Sequence, residues 1–199
     1  MRKVAIFGGS FSPPHTGHRA TAAAVLEGCP DIEAVYWTPC GQHVWGKHMT
    51  DSGRRLDMVK HAIRALKDGR HQAFDHEIAY GLTGRTLDLA LSLNKHYPET
   101  EFQFVIGMDN ANSIRKWYEY ARLVSEFRFI VLSRAGVPAE TDWYKAEPHR
   151  FLSVEKPAIS SSEVRAMLAR GDYPAAAAFL EPEVLDYIIV NDLYSKQAE

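Results

Sequence analysis

The 199 residues suffice for one well-buried domain, and 46% apolar with 24% charged residues is ordinary globular composition. A formal net charge of −2 excludes a polyanion-binding surface built on bulk charge, so no nucleic-acid partner is expected; a local basic pocket for a small phosphate ligand stays open. Cys29 and Cys40 lack C-x-x-C spacing, and no apolar run reaches the length of a signal-peptide core or a membrane span, so a cytoplasmic protein with no membrane partner is expected.

In chain order, "KVAIF" (3–7) is a short apolar run closed by Gly8 and Gly9, the pattern of a buried parallel strand. "TGHRATAAAVLEG" (16–28) places His18, Ala22 and Val25 on one helical face, with Gly28 as a stop. "IEAVYWT" (32–38) predicts a second strand. "RRLDMVKHAIRALKD" (54–68) predicts a helix that buries Leu56, Val59, Ile63 and Leu66. "QAFDHEI" (72–78) gives a weaker strand pattern, and "RTLDLALSLNKHY" (85–97) a helix ended by Pro98. Strands at 101–107 and 127–134 flank a helical stretch around "WYEYARLVSE". Segment 136–150 predicts a surface insertion. "SSSEVRAMLARGD" (160–172) is a helix with both ends marked, and "PEVLDYIIV" (182–190) is the last one. The tail after Tyr194 is expected to fray.

This alternation predicts a parallel sheet covered on both faces, because parallel strands need crossover connections. Ligands of such sheets gather at the carboxyl ends of the strands. There the chain places "GGSFSPPHTGH": Gly8 and Gly9 allow a tight turn and close backbone approach. The amino end of the next helix favours an anion, and His15 and His18 can face the same phosphate. The stretch contains neither G-x-G-x-x-G nor a P-loop, and two histidines without a carboxylate or cysteine beside them do not make a zinc site. His43, His48, His61, His71, His76, His96 and His149 belong to no constellation and are expected at the surface; Trp37, Trp45 and Trp143 are expected in packing or surface roles.

"GGSFSPPHTGH" resembles the G-x-F-x-P-x-H-x-G-H signature of the nucleotidyltransferase superfamily, and "ISSSEVR" (159–165) resembles its second signature. Within the superfamily the chain is most similar to the bacterial nicotinate-nucleotide adenylyltransferases. That resemblance rests on "TP" at 38–39 with Lys47 beyond it, "RRLDMV", "GLTGRTLDLA", "FVIGMDNANSIRKWYEY" and "VLDYIIVNDLY". Two departures are visible: Ser12 replaces the usual Asn or Asp, and "CGQHVWGKH" replaces a proline-rich run.

The resemblance implies a Rossmann-like, doubly wound α/β sandwich with a mostly parallel central sheet. It would form a single domain over 1–199 whose C-terminal part, from about 158, is helical. It implies adenylyl transfer from ATP to nicotinate mononucleotide in NAD biosynthesis, with Mg²⁺ carried on ATP and no protein-held metal. His15, His18 and Arg165 would be catalytic. Gly8, Gly9, Ser10, Phe11, His18, Gly107, Asp109, Ile159, Ser161, Ser162 and Arg165 would bind ATP. Ser10, Phe11, Lys47, Thr83, Thr86, Trp117 and Tyr118 would bind the mononucleotide.

Asp109 would have a ribose or structural role, or else cap the helix after its strand. Trp117 would stack on the pyridine ring. Thr83, Thr86 and the helix-start N–H groups would meet the ring carboxylate, with Asp88 turned away. Alternatives are nicotinamide mononucleotide as acceptor, a phosphopantetheine adenylyltransferase or cytidylyltransferase activity, and a non-catalytic nucleotide-binding regulator. A homo-oligomer stays open.

Overall fold

Along β1 (Arg2–Gly9) successive side chains face opposite sides of the sheet, and both sides are apolar: Val4 and Ile6 on one, Ala5 and Phe7 on the other. Such a strand is stable only when covered twice, and the computed structural model, which describes residues 1–41, 50–155 and 159–195, shows it at the middle of a six-stranded sheet. The other strands are β2 (Ala34–Pro39), β3 (His71–Ala73), β4 (Thr100–Gly107), β5 (Arg128–Leu132) and β6 (Arg150–Leu152). All pairings are parallel, in the order β3-β2-β1-β4-β5-β6.

One face is covered by α1 (Thr16–Gly28) and α2 (Ser52–Leu66), which pack Ala22, Val25 and Val59 on Ala5, Val35 and Ile130. The other is covered by α4 (Thr86–His96), α5 (Met108–Ser113) and α6 (Tyr120–Glu126), through Leu89, Leu93, Ala111 and Leu123. A third cluster joins α2 to α7 (Ser161–Ala169), α8 (Tyr173–Ala177) and α9 (Pro182–Val190) through Met58, Val164, Ala176 and Ile188. Among the described residues, no helix is long and apolar enough to cross a membrane.

Two expectations change. The strand expected over 72–78 stops at Ala73, and His76–Ala79 forms the one-turn helix α3. Segment 136–150 lies mostly at the surface as expected, pinned by buried Tyr144 in the 3₁₀ turn Trp143–Lys145 before the chain enters β6 at the sheet edge. His71 and His76 are buried rather than exposed, because each packs on aromatic rings and has a side-chain partner, Trp37 Nε1 at 3.4 Å and Ser92 Oγ at 2.8 Å.

Candidate active site

The strand order reverses direction between β1 and β4, so the connections after these two strands leave in opposite senses and open a crevice at their carboxyl ends. A Cβ on Gly9 would press on the Phe11 ring at 3.2 Å, whereas a Cβ on Gly8 would meet no protein atom within 4 Å. Phe11 holds a left-handed backbone at φ 46°, and its buried ring packs on Phe7, Trp37 and His18. The loop is thus anchored from beneath by its own aromatic residue.

His15 is the N-cap of α1. Its Nδ1 accepts from the N–H of Gly17 at 3.2 Å, while the N–H of His15 donates to His18 Nδ1 at 3.1 Å. Each imidazole therefore uses Nδ1 as an acceptor, which leaves the proton of the neutral ring on Nε2. The rings lie 3.8 Å apart between centroids. Two histidines in a capping box are so converted into a pair of Nε2–H donors at a helix start.

The second motif folds onto the first. Ser160 caps α7 in a box with Glu163, whose carboxyl pKa is lowered by the Ser160 hydroxyl and N–H. Ser161 Oγ donates to the carbonyl of Pro13 at 3.0 Å. Half-buried Arg165 donates to the Ser12 carbonyl at 2.7 Å and to Ser162 Oγ at 3.0 Å, and Ser12 Oγ lies 2.9 Å from Tyr194 Oη. Thr16 N–H donates to the Phe179 carbonyl at 2.9 Å.

Two cavities flank this crevice. One, of about 490 Å³, is lined by Gly8, His15, His18, Gly107, Asp109, Arg134, Ile159 and Ser161. The other, of about 520 Å³, is lined by Gly8, Gly9, Ser10, Cys40, Glu77, Thr86, Lys116, Trp117 and Tyr118. Gly8, Val105, Ile106 and Asn110 belong to both walls, so the cavities adjoin along the ends of β1 and β4. Of the expected site residues, Phe11, Thr83, Ser162 and Arg165 line neither, and Lys47 lies outside the described residues.

Asp109 does not cap its helix. Gly107 is the N-cap, and Asp109, in the first turn of α5, pairs with Arg134 at 2.8 Å. Asp88 does not turn away from the start of α4: Thr83 Oγ1 donates to its carboxylate and accepts from the N–H of Arg85. A threonine three residues before the helix closes this small loop, which the spacing alone did not reveal.

Reading the sequence missed Arg55 and Glu77. Arg55, 1% exposed, donates from Nε to the Thr50 carbonyl at 2.9 Å, from Nη1 to Ser10 at 2.9 Å and from Nη2 to Cys40 at 2.6 Å. "RRLDMV" offered two arginines, and helical phase was the only available signal for the inward one. Buried Glu77 accepts from the Gly41 N–H at 3.2 Å, and burial pushes its carboxyl up to about 7, against the lesser pull of that N–H and of Arg55.

A carboxyl with a pKa of 4.5 in the unfolded chain and about 7 in the folded one binds more protons when folded across that interval. Stability therefore falls as pH rises from about 4.5 to about 7, then levels. Glu77→Gln keeps an acceptor for Gly41 without the titration. Thermal melts between pH 4 and 8 should show the variant equal to wild type at the acid end and increasingly more stable toward pH 7, by about 3 kcal/mol at most. A constant difference across pH would contradict this role for Glu77.

The cytidylyltransferase-like family model matches residues 6–167. A Myxococcus xanthus protein named "Probable nicotinate-nucleotide adenylyltransferase" is 33% identical over 173 residues, covering 87% of this chain and 85% of its own. A Bacillus cereus protein of the same name is 33% identical over 199 residues, covering 98% and 99%. Among solved structures, Plasmodium falciparum nicotinic acid mononucleotide adenylyltransferase complexed with NaAD superposes with a TM-score of 0.82 at 25% identity, over 98% of each chain.

Proposed function

Since this chain belongs to the cytidylyltransferase-like family and, within it, to the nicotinate-nucleotide adenylyltransferases, we propose that it transfers the adenylyl group of ATP to the 5′-phosphate of nicotinate mononucleotide. The products are pyrophosphate and the deamido dinucleotide of NAD biosynthesis. What carries the reading is the pair of adjoining cavities with a common wall at Gly8 and Asn110: two nucleotides side by side would bring their phosphates together there. ATP takes the His18 cavity and the mononucleotide the Trp117 cavity. One nucleotidyltransferase domain, sheet and C-terminal helices together, performs this in the cytoplasm.

A phosphate monoester dianion is a competent nucleophile, so the protein needs no general base. Its work is to align the attack on the α-phosphorus and to stabilise the charge that develops. The Nε2–H groups of His15 and His18 are preset donors for that charge, and the amino end of α1 adds its dipole. Ser161 and the α7 start border the same cavity.

Of the two carboxylates lining it, Glu163 closes a capping box and Asp109 pairs with Arg134. Among the described residues, no cluster of three or more His, Cys, Asp or Glu forms a metal cage. This donor set fits a magnesium ion held by phosphate oxygens and water, with Asp109 as a carboxylate that can face it. When bound, magnesium neutralises triphosphate charge.

Arg165 lines neither cavity and donates to Ser12 and Ser162 beside the first motif; we propose that it turns to the triphosphate when ATP binds. Arg165→Ala should raise KM for ATP by about one to two decades, the cost of a charge-assisted contact, with Arg165→Lys restoring part. Steady-state kinetics that show wild-type KM and kcat for ATP in the alanine variant would exclude that role. The function itself is tested by pyrophosphate release from ATP or CTP with nicotinate mononucleotide, nicotinamide mononucleotide and phosphopantetheine in parallel. Release is expected with ATP and nicotinate mononucleotide; release only with CTP or only with phosphopantetheine would overturn the proposal.

A further inference from the structure

We infer that Arg85, stacked on Tyr118 at the rim of the Trp117 cavity, supplies the positive charge that selects an acceptor ring bearing a carboxylate over one bearing an amide. The inference rests on the proposed adenylyl transfer and assigns a specificity-determining residue to its acceptor.

The two rings differ by one negative charge at one position, and a single neutral donor serves a carboxylate oxygen and an amide oxygen almost alike. A positive charge aimed at that position favours the carboxylate directly. One neutral donor before the start of α4 is committed elsewhere. Thr83 Oγ1 donates to Asp88 and accepts from the N–H of Arg85, so this hydroxyl closes the local loop. The same bond holds the Asp88 carboxylate, which lines neither cavity, toward the loop before α4.

Arg85 is the N-cap of α4 and lines the cavity together with Gly84, Thr86, Trp117 and Tyr118. Its guanidinium carbon lies 4.5 Å from the centroid of the Tyr118 ring. Stacking fixes the plane of the fork while leaving its N–H edge available to a carboxylate. Among the described residues, no carboxylate lies within 4.0 Å of Arg85, in contrast to Arg122 or Arg150, whose charges are spent on neighbours. Lys116 lines the cavity too, but it has no ring to orient it and would act as a diffuse charge. Glu77, the one acid in the lining, is buried and hydrogen-bonded to Gly41.

The experiment compares kcat/KM for nicotinate and nicotinamide mononucleotide in wild type, Arg85→Gln, Arg85→Lys and Lys116→Gln, with KM for ATP measured in each. Wild type should prefer nicotinate mononucleotide by about tenfold or more. Arg85→Gln should lower kcat/KM for the nicotinate form by about tenfold and for the amide form far less, so that the preference collapses. Arg85→Lys should recover part of it, and Lys116→Gln should keep most of it. KM for ATP should move by less than about twofold, since Arg85 lines only the acceptor cavity.

An equal loss for both acceptors would mean that Arg85 serves their shared phosphate or the local fold, and would overturn the inference. So would an undiminished preference in Arg85→Gln, or a wild type without preference. A wild type that transfers to neither mononucleotide would instead overturn the proposed function.

Discussion

Replacing His18 with alanine is expected to lower kcat by about two orders of magnitude or more. Removing one preset donor from a site of developing phosphoryl charge typically costs that much, because the donor is worth more in the transition state than in the ground state. KM for either substrate should change far less. The ring also accepts the N–H of His15, so the variant loses half of a capping box and should melt slightly lower, by about 1 kcal/mol of stability. Circular dichroism would show the fold retained. A variant that keeps more than about half of the wild-type kcat would falsify the assignment of His18 to the reacting phosphate.

Arg55→Ala should produce the largest loss of stability among single polar substitutions. Three carbonyls, of Ser10, Cys40 and Thr50, lose their donors in a place where the side chain is 1% exposed. Each buried acceptor left unmatched costs about 1–3 kcal/mol, so a total of about 3 kcal/mol or more is expected. In a chain of this size that corresponds to a fall of about 6–12 °C in Tm. Arg55→Lys can reach one of the three carbonyls and should recover a minor part. Urea and thermal melts measure both, and a drop below about 1 kcal/mol for the alanine variant would mean that water replaces the clamp at little cost.

What the sequence made legible depended on the range of the interactions involved. The strands at 3–7, 101–107 and 127–134 were visible because burial on both faces needs continuous apolar runs, and β1, β4 and β5 have them. The helix start at His15 and the serine cap of α7 are local capping signals, and both stand in the structure. The three-residue strands β3 and β6 carry no comparable run; each exists because a longer strand offers it an edge, a tertiary cause. The sequence "QAFDHEI" carries only a weak strand pattern, and Asp75 and the residues after it turn into α3 as soon as the pairing with β2 ends.

The site divides the same way. The two motifs were readable, and so was the contribution of Trp117 and Tyr118 to one cavity wall. Arg55 was not, because its partners are three backbone carbonyls, and backbone groups leave no trace in the residue types around them. Asp88 was misjudged for a related reason: its direction is set by one hydroxyl five residues earlier.

The stitches between the first loop and the C-terminal helices also bear on how the protein is made. Pro13, Ser12 and Thr16 are held by Ser161, Arg165, Phe179 and Tyr194. A nascent chain that has emerged as far as β6 already contains every strand, and the sheet can begin to assemble on the ribosome, amino end first. The loop proposed to meet ATP is by then one of the oldest parts of the chain, but its clasps have not yet been synthesised. Nucleotide affinity should therefore appear late and abruptly during translation, and a fragment clipped after β6 would keep a recognisable sheet while being blind to its substrate.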